Sequence, residues 1–577
     1  MAAGQRNERC PRATSPDAEG GRSRRPRLLS AARPGRASVS VSGVIAPELP
    51  QRSAPDGERL PHRLKIIGRP FLWRGQPDGA AEGRRERSWR LRNHWLFVLL
   101  LAAGTVLRVI TQMAYHPAIL YVDSLKYLYD AWLGSDPLGY KVLLNSVLFV
   151  GDLGSVVAVQ HLLGLAMAVA LYVLLMRQGV NRWLAALAIA PVLLDGYQLQ
   201  AEEMIMPDVF FEALAVLALV ILLWKPVASW RAVVASGLIL GVGATVHEFG
   251  LVLIVPVVLY LLINKEPGFQ NVRWSRAILR GGAACAAFAV PIFLYCSALD
   301  VATGHFWLSA GRKLTPRLAQ VADCSTLRLP PAARPLCPTP ADQRESSDWF
   351  QHDPHSPLLT IPETGAARLQ LYRVFDKAVE HQQPVRVVAA ILGDAMRLYQ
   401  VDRVNSLSIT PISRWQFQTT YPTVLPNLYV RPNGDIIVGL QYRLPGPIDY
   451  QVLTPAYGGK AQVDGSLAGF LRGYQLRGGY TPGPLLLIFT VTGLLGSLLA
   501  LVYRRNSERG RKLALGCLVF FVGAVGLLLI SDVYVFSWRY QIQALTTLPP
   551  AGVLGASAAL EAFRRRKPAG ATGPASP

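Results

Sequence analysis

Long apolar runs separated by short polar breaks fill most of this chain, and their lengths predict membrane-crossing helices. The runs cover about 94–113, 153–176, 182–196, 208–224, 231–246, 249–263, 277–299, 483–503, 513–531 and 541–560. A helix rising 1.5 Å per residue needs about 20 apolar residues to cross a hydrocarbon core of about 30 Å. Most runs meet or approach that length, and 182–196, 231–246 and 249–263 are the shortest. The pattern predicts an all-α transmembrane bundle of about ten spans. The break between the first two runs, 114–150, is different. Leu125, Leu128, Tyr129 and Trp132 recur at helical spacing, which predicts a helix lying on the membrane surface. Asp136-Pro137-Leu138-Gly139-Tyr140 ends it before a second apolar helix at about 141–150.

From about 301 to 482 the texture turns polar and Pro-rich. Asp342–Pro357 reads as loop, Val385–Tyr399 as an apolar-periodic helix, and Asp435–Tyr442 as a strand after the Pro432-Asn433-Gly434 turn. About 180 residues suffice for a small α+β domain outside the membrane. Residues 1–93, rich in Arg, Pro, Gly and Ser, read as a disordered basic tail. The divisions expected are thus 1–93, a membrane module 94–300, the outer domain 301–482, closing membrane segments 483–562 and a tail 563–577. The first apolar run begins too far along the chain for a cleaved signal peptide and reads as a retained anchor.

Charge assigns sides. Arg and Lys cluster at Arg84–Arg92, Arg177–Arg182, Lys225–Arg231, Lys265–Arg280, Arg504–Lys512 and Arg564–Lys567, while the intervening breaks carry few. Cytoplasmic loops are the basic ones, so both termini are expected in the cytoplasm of a multi-pass plasma-membrane protein. The same clustering accounts for most of the formal net charge of +22, and no nucleic-acid partner is expected, because no folded face mixes basic and stacking aromatic residues. Hydrophobic residues at 51% against 17% charged fit the same class. Of six cysteines, Cys324 and Cys337 share an exported loop, where an oxidising compartment favours a disulfide.

Two acidic clusters then fall on the outer side. Tyr121–Asp130 contains Asp123, which reads either as an N-cap of the following helix or as a catalytic carboxylate. Glu202, Glu203 and Asp208 flank Met204-Ile205-Met206, and Asp208, beside Pro207, reads as the cap of the next span. Charged groups at membrane depth are expensive, so acids held there tend to be functional. His247-Glu248 at an outer hinge reads equally as a metal or phosphate ligand pair and as a structural hinge, and a divalent cation is the one cofactor left open. Arg539-Tyr540 starts the last span from the outer side, against the charge rule, and suits a phosphate held by bidentate hydrogen bonds. Lys126 and Arg312 are further candidates for phosphate. Walker-type, G-x-S-x-G and well-placed G-x-G-x-x-G motifs are absent, which leaves ATP-driven transport and serine hydrolysis without support.

In order and sidedness this layout resembles the GT-C superfamily, the polytopic glycosyltransferases that include protein mannosyltransferases and aminoarabinose transferases. The likeness lies in the acidic first outer loop with Pro137-Leu138-Gly139-Tyr140, the acidic loop before the fourth span, and Arg539-Tyr540 leading to Leu548-Pro549-Pro550. Ser124 stands where many members have a second acid. The resemblance implies a polyprenyl-phosphate sugar donor and a glycan or protein acceptor outside the membrane. It further implies Asp123 as base, Glu202 or Glu203 orienting the acceptor or a cation, and Arg539, Tyr540, Lys126 and Arg312 toward the donor phosphate. A carrier or lipid flippase with acidic coupling-ion sites, and a non-catalytic membrane protein with an outer binding domain, are the rival expectations.

Overall fold

The computed structural model describes residues 93–121, 123–128, 136–264, 270–309, 314–406, 408–421, 428–430, 436–438, 457–502 and 508–566. The expected basic tail up to residue 92, Asp130, Arg312 and most of the stretch 422–456 lie outside the described residues. Each apolar run becomes a helix. In chain order these begin with α1 (Trp95–Ala114), after which Tyr115–His116 forms β1. The short α2 (Ser124–Leu128) and α3 (Gly139–Leu148) follow, and then α4 (Leu153–Gln178), α5 (Arg182–Leu194), α6 (Gly196–Glu203), α7 (Asp208–Leu223) and α8 (Trp230–Val246). A 3-10 turn Glu248–Leu253 leads into α9 (Ile254–Ile263), and α10 (Gln270–Thr303) closes this module.

Local chemistry sets several of these boundaries. Asp152 and Ser155 form a reciprocal capping box that starts α4, and Gly179, at φ 91°, ends it in the left-handed conformation open to glycine. Asp195 breaks the next run. Its carboxylate accepts from the Tyr197 amide and so caps α6, leaving α5 and α6 bent by 48°. The same carboxylate accepts from the Thr481 amide (2.7 Å) and from Arg403 (3.2 Å), which ties the break to the polar stretch before residue 482.

The stretch expected outside the membrane, called the outer segment for that expectation, has a small core of its own with Leu318, Leu336, Phe350, Phe375 and Val379. It is built from α11 (Thr315–Val321), α12 (Ser347–His352), α13 (Pro357–Thr360), α14 (Gly365–Gln382) and α15 (Pro384–Ala395), the last continued by a 3-10 turn to Tyr399. Cys324 and Cys337 are joined in a disulfide with Cα atoms 5.9 Å apart. The described part of this segment is therefore helical. Strand structure is limited to the hairpin of β2 (Leu428–Val430) and β3 (Ile436–Val438), at the place where a strand was expected, and to β4 (Gln462–Val463), which pairs antiparallel with β1 in the register Tyr115 to Val463. Then come α16 (Gly465–Leu476), α17 (Gly483–Val502), α18 (Glu508–Tyr534) and α19 (Gln543–Arg566). The crossing of α17 and α19 depends on small residues. A Cβ on Gly496 would lie 2.3 Å from the Gly555 Cα, a close backbone approach typical of helices packed in lipid.

Among the described residues, α1, α4, α10, α17 and α18 are long and apolar enough to cross a membrane, and the bent α5–α6 pair makes a sixth if it is one broken span. The chain is a multi-pass helical membrane protein. An arrangement of about ten spans adds the shorter α7, α8 and α9, and α19, to that set.

Candidate functional site

The two acidic loops are laced together by backbone. The Ile119 amide donates to the Glu203 carbonyl and the Ile205 amide to the Ile119 carbonyl, each at 3.1 Å. The loop after α1 therefore lies along the loop after α6. The Tyr121 amide donates to the Ser124 hydroxyl (2.9 Å) and the Ser124 amide to the Tyr121 carbonyl, a local turn that opens α2. Ser124, buried there, stands in the structure as a turn residue.

Asp123 stands at that turn with its two carboxylate oxygens on different cations. Oδ1 is 3.0 Å from Lys126 Nζ, and Oδ2 accepts from Arg539 Nη1 at 2.8 Å. Lys126 also pairs with Asp136. Partial burial works against the Asp123 charge, but Lys126 and Arg539 outweigh it and hold the carboxyl well below the usual carboxylate range. Burial likewise opposes the Lys126 charge, and Asp123 with Asp136 raises it above its ordinary value.

Arg539 is the centre of the cluster. It is buried just before the 3-10 turn Tyr540–Ile542 that enters α19. Its Nε donates to both oxygens of Asp208 (3.2 and 3.1 Å) and its Nη2 to Asp208 Oδ2 (2.8 Å). This corrects the expectation for Asp208. Pro207 occupies the N-cap of α7 without any side-chain cap bond, and the Asp208 carboxylate is spent on Arg539. Trp415, brought over by the outer segment, lies with its ring 5.7 Å from the Arg539 guanidinium carbon. Its partner there is Tyr121, at 4.9 Å between rings. Arg414 donates to the Tyr121 hydroxyl (3.2 Å) and faces Asp348 at 3.5 Å. Tyr115 and Tyr421 hydroxyls add hydrogen bonds between the first loop and the outer segment. A narrow cleft results beside Asp208 and Arg539, lined also by Tyr197, Gln200, Met206, Trp415 and Ile542.

Glu202 and Glu203 have a different setting. Both are fully buried, and no hydrogen bond or ion pair joins either to Asp123, Lys126 or Arg539. Glu202 Oε1 accepts from Arg108 Nη2 (2.6 Å), and its Oε2 faces His161 Nδ1 (2.9 Å). His161 Nε2 in turn faces Glu203 Oε2 (3.0 Å). One imidazole thus spans two carboxylates, an arrangement in which both ring nitrogens donate when it is protonated. Gln198 donates to Glu202 and to Glu212, extending the network into α7. Gly164 makes room for it, since a Cβ there would lie 2.1 Å from Glu202 Oε1. These two acids tie α1, α4, α6 and α7 together through Arg108, His161, Gln198 and Glu212.

The other candidates separate. His247 accepts from the Phe249 amide (3.3 Å) and packs between Phe211 and Phe249, while Glu248 accepts from Ser309 (2.9 Å). The described residues contain no group of three or more His, Cys, Asp or Glu placed to hold a metal ion. Tyr540 packs edge-on against Phe249 (5.2 Å). Arg108, His161 and Trp415 were not among the sequence candidates. Arg108 and His161 carried a usable signal, as ionisable residues inside apolar runs. Trp415 carried none.

No protein-family model matches the chain, and no curated protein matches it. Solved structures similar to parts of it include two membrane enzymes. One is the S. cerevisiae protein O-mannosyltransferase Pmt1-Pmt2 complex bound to the sugar donor, at 17% identity and TM-score 0.29, covering 37% of this chain and 34% of that one. The other is the archaeal oligosaccharyltransferase AglB from Archaeoglobus fulgidus in complex with an inhibitory peptide and a dolichol-phosphate, at 12% identity and TM-score 0.36, covering 84% and 53%. The chain spans about a third of the first and about half of the second. At these scores the likeness stays at the level of fold and carries none of the functional argument.

Proposed function

We propose that this chain is a membrane glycosyltransferase that moves a sugar from a polyprenyl-phosphate donor to an acceptor hydroxyl outside the cytoplasm. The observation that supports this most is the Asp123–Arg539–Asp208 cluster. A carboxylate with some exposure and a buried guanidinium stand together at the joined ends of two loops, beside a cleft.

Arg539 has two kinds of partner there. Asp208 takes Nε and Nη2 and fixes the plane of the guanidinium, while Nη1 rests on Asp123. A donor phosphate carries concentrated negative charge and competes with Asp123 for Nη1. When it wins, Asp123 keeps Lys126 but loses Arg539, and its proton affinity rises from the depressed value toward that of an ordinary carboxylate. Donor binding thereby prepares the base. The acceptor oxygen then attacks the anomeric carbon and passes its proton to Asp123. The bond from that carbon to the phosphate oxygen breaks, its electron pair stays on the departing polyprenyl phosphate, and Arg539 meets the charge. Attack opposite the leaving group inverts the anomeric carbon. Trp415, packed on Tyr121, lines the cleft beside Arg539 and limits water there.

The test is transfer of radiolabelled sugar from a polyprenyl-phosphate donor in membranes holding the full chain or its Asp123→Asn variant. The variant is expected to lose transfer, and full retention would rule out the base. A second reading, an ion-coupled carrier, has the buried Glu202–His161–Glu203 chain in its favour, because coupling sites lie deep among helices. Wild-type protein that moves no sugar from any donor but shows pH-gradient-driven uptake of solute would decide for the carrier.

A further inference from the structure

The helix α15 is inside out for a water-soluble surface. Helices on soluble domains turn an apolar stripe to the core and polar residues to water. In α15 and the turn after it, Val385, Val388, Leu392 and Met396 follow one another at intervals of three and four on one face. They are 79%, 53%, 51% and 59% exposed. Ala389 and Gly393 are exposed on the same side, and Arg386 near the start is the charged residue exposed on the helix. Asp394 is instead buried, paired with Arg317 at 2.6 Å and Arg397 at 2.9 Å.

The height of this helix is fixed by its exit. The Tyr399 hydroxyl lies 3.1 Å from Thr490 Oγ1. Thr490 is seven residues into α17, which is about 10 Å down its axis at 1.5 Å per residue. Gly483, the first residue of α17, touches the same exit segment so closely that a Cβ would lie 2.1 Å from the Gln400 carbonyl oxygen. The chain leaving α15 therefore runs beside the first turns of a membrane-spanning helix. At that level α17 itself exposes Leu487, Ile488 and Val491, so outward-facing apolar side chains are the rule there. α15 also packs on α18, another membrane-length helix.

We propose that α15 is embedded in the membrane leaflet on the side of the Asp208–Arg539 cleft, with Val385, Val388, Leu392 and Met396 against phospholipid acyl chains. The occupant of this face is lipid. A protein partner would not account for the depth, the inverted arrangement of polar residues and the level shared with the apolar face of α17. The segment expected to stand clear of the membrane as an outer domain is then partly sunk in it, and the reach of chain that carries Trp415 is held at a fixed height over the cleft.

Spin labels test this in the full chain, with Cys10, Cys285, Cys296 and Cys517 replaced and the protein reconstituted in phosphatidylcholine–phosphatidylglycerol vesicles. Labels at Val388→Cys and Leu392→Cys are compared with Val491→Cys in α17 and with His355→Cys, an exposed position of the outer segment. Collisions with oxygen are expected to exceed those with a water-soluble nickel chelate at 388 and 392, as at 491, with the ratio inverted at 355. A ratio like that at 355 overturns the proposal, and so does protection from both reagents, which means a protein covers the face. The unmodified chain gives a second reading through phosphatidylcholine carrying a photoreactive acyl chain. Adducts within Val385–Met396 are expected alongside adducts on α17. Adducts on α17 without any on α15 refute it.

Discussion

Replacing Asp208 with Asn distinguishes an ion-pair partner from a helix cap. Asn caps a helix about as well as Asp, so a capping residue at 208 predicts little change in stability. The structure predicts a large one. Arg539 is buried, and three of its hydrogen bonds end on Asp208. Without that charge the guanidinium keeps Asp123 at 2.8 Å, a carboxylate it shares with Lys126. Removing one partner of a buried pair costs about 3–5 kcal/mol. The remaining contact to Asp123 and one bond to the Asn carbonyl place Asp208→Asn at the lower end, about 3 kcal/mol on that same scale. Reversible unfolding of the purified chain in mixed micelles measures it, with Arg539→Gln and the double variant completing a cycle. The double variant should lose less than the sum of the singles, with a coupling of about 1–3 kcal/mol for groups in direct contact. A single variant within about 0.5 kcal/mol of wild type, the range of surface substitutions, or strictly additive losses, would refute the pairing.

Other expectations follow from the same contacts. Gly164→Ala pushes a methyl against Glu202 Oε1 and the Arg108 guanidinium and should cost at least about 2 kcal/mol by overpacking. Gly282→Ala, with open space around it, should be neutral or gain up to about 1 kcal/mol in helix propensity; the same unfolding titration reads both. Burial, with Glu380 adding to it and the Thr315 hydroxyl opposing, pushes Asp376 up to about 6. The folded chain therefore holds a proton there that the unfolded chain gives up from about 4, so stability falls as pH rises through that window. Asp376→Asn should raise the melting temperature at pH 7.5 and leave it nearly unchanged at pH 4, and an equal effect at both would contradict the assignment. Lys126→Gln removes one of the cations that lower Asp123, so the acid limb of sugar transfer should move to higher pH; an unmoved limb counts against Asp123 as the titrating group.

The membrane architecture was legible because span length and apolar continuity are properties of the local sequence. Each of the ten runs overlaps an observed helix, and the alternation of basic loops predicts Asp123 and Arg539 on one side. Pairings across long separations were not legible. Asp208 after Pro207 fits a cap by every local rule, and its partner lies 331 residues away. Glu202 and Glu203 diverge as neighbours on a helix, and only His161, with a nitrogen toward each, brings them into one network. Arg108 and His161, ionisable residues inside apolar runs, are themselves a local sign of buried pairing. The apolar period of Val385–Tyr399 predicted a helix but not which way its apolar face would turn, because direction depends on the membrane rather than on the helix.

The most direct measurement of the central claim follows donor binding and turnover together in one variant. Purified Asp123→Asn in proteoliposomes is titrated with radiolabelled polyprenyl-phosphate sugar, and label leaving the carrier is then counted in the presence of membrane acceptors. The account predicts binding at least as tight as wild type, since Arg539 Nη1 loses a competitor, with turnover down about 10²–10⁴-fold for the loss of a general base. Turnover near that of wild type, or binding and turnover lost together, would contradict it.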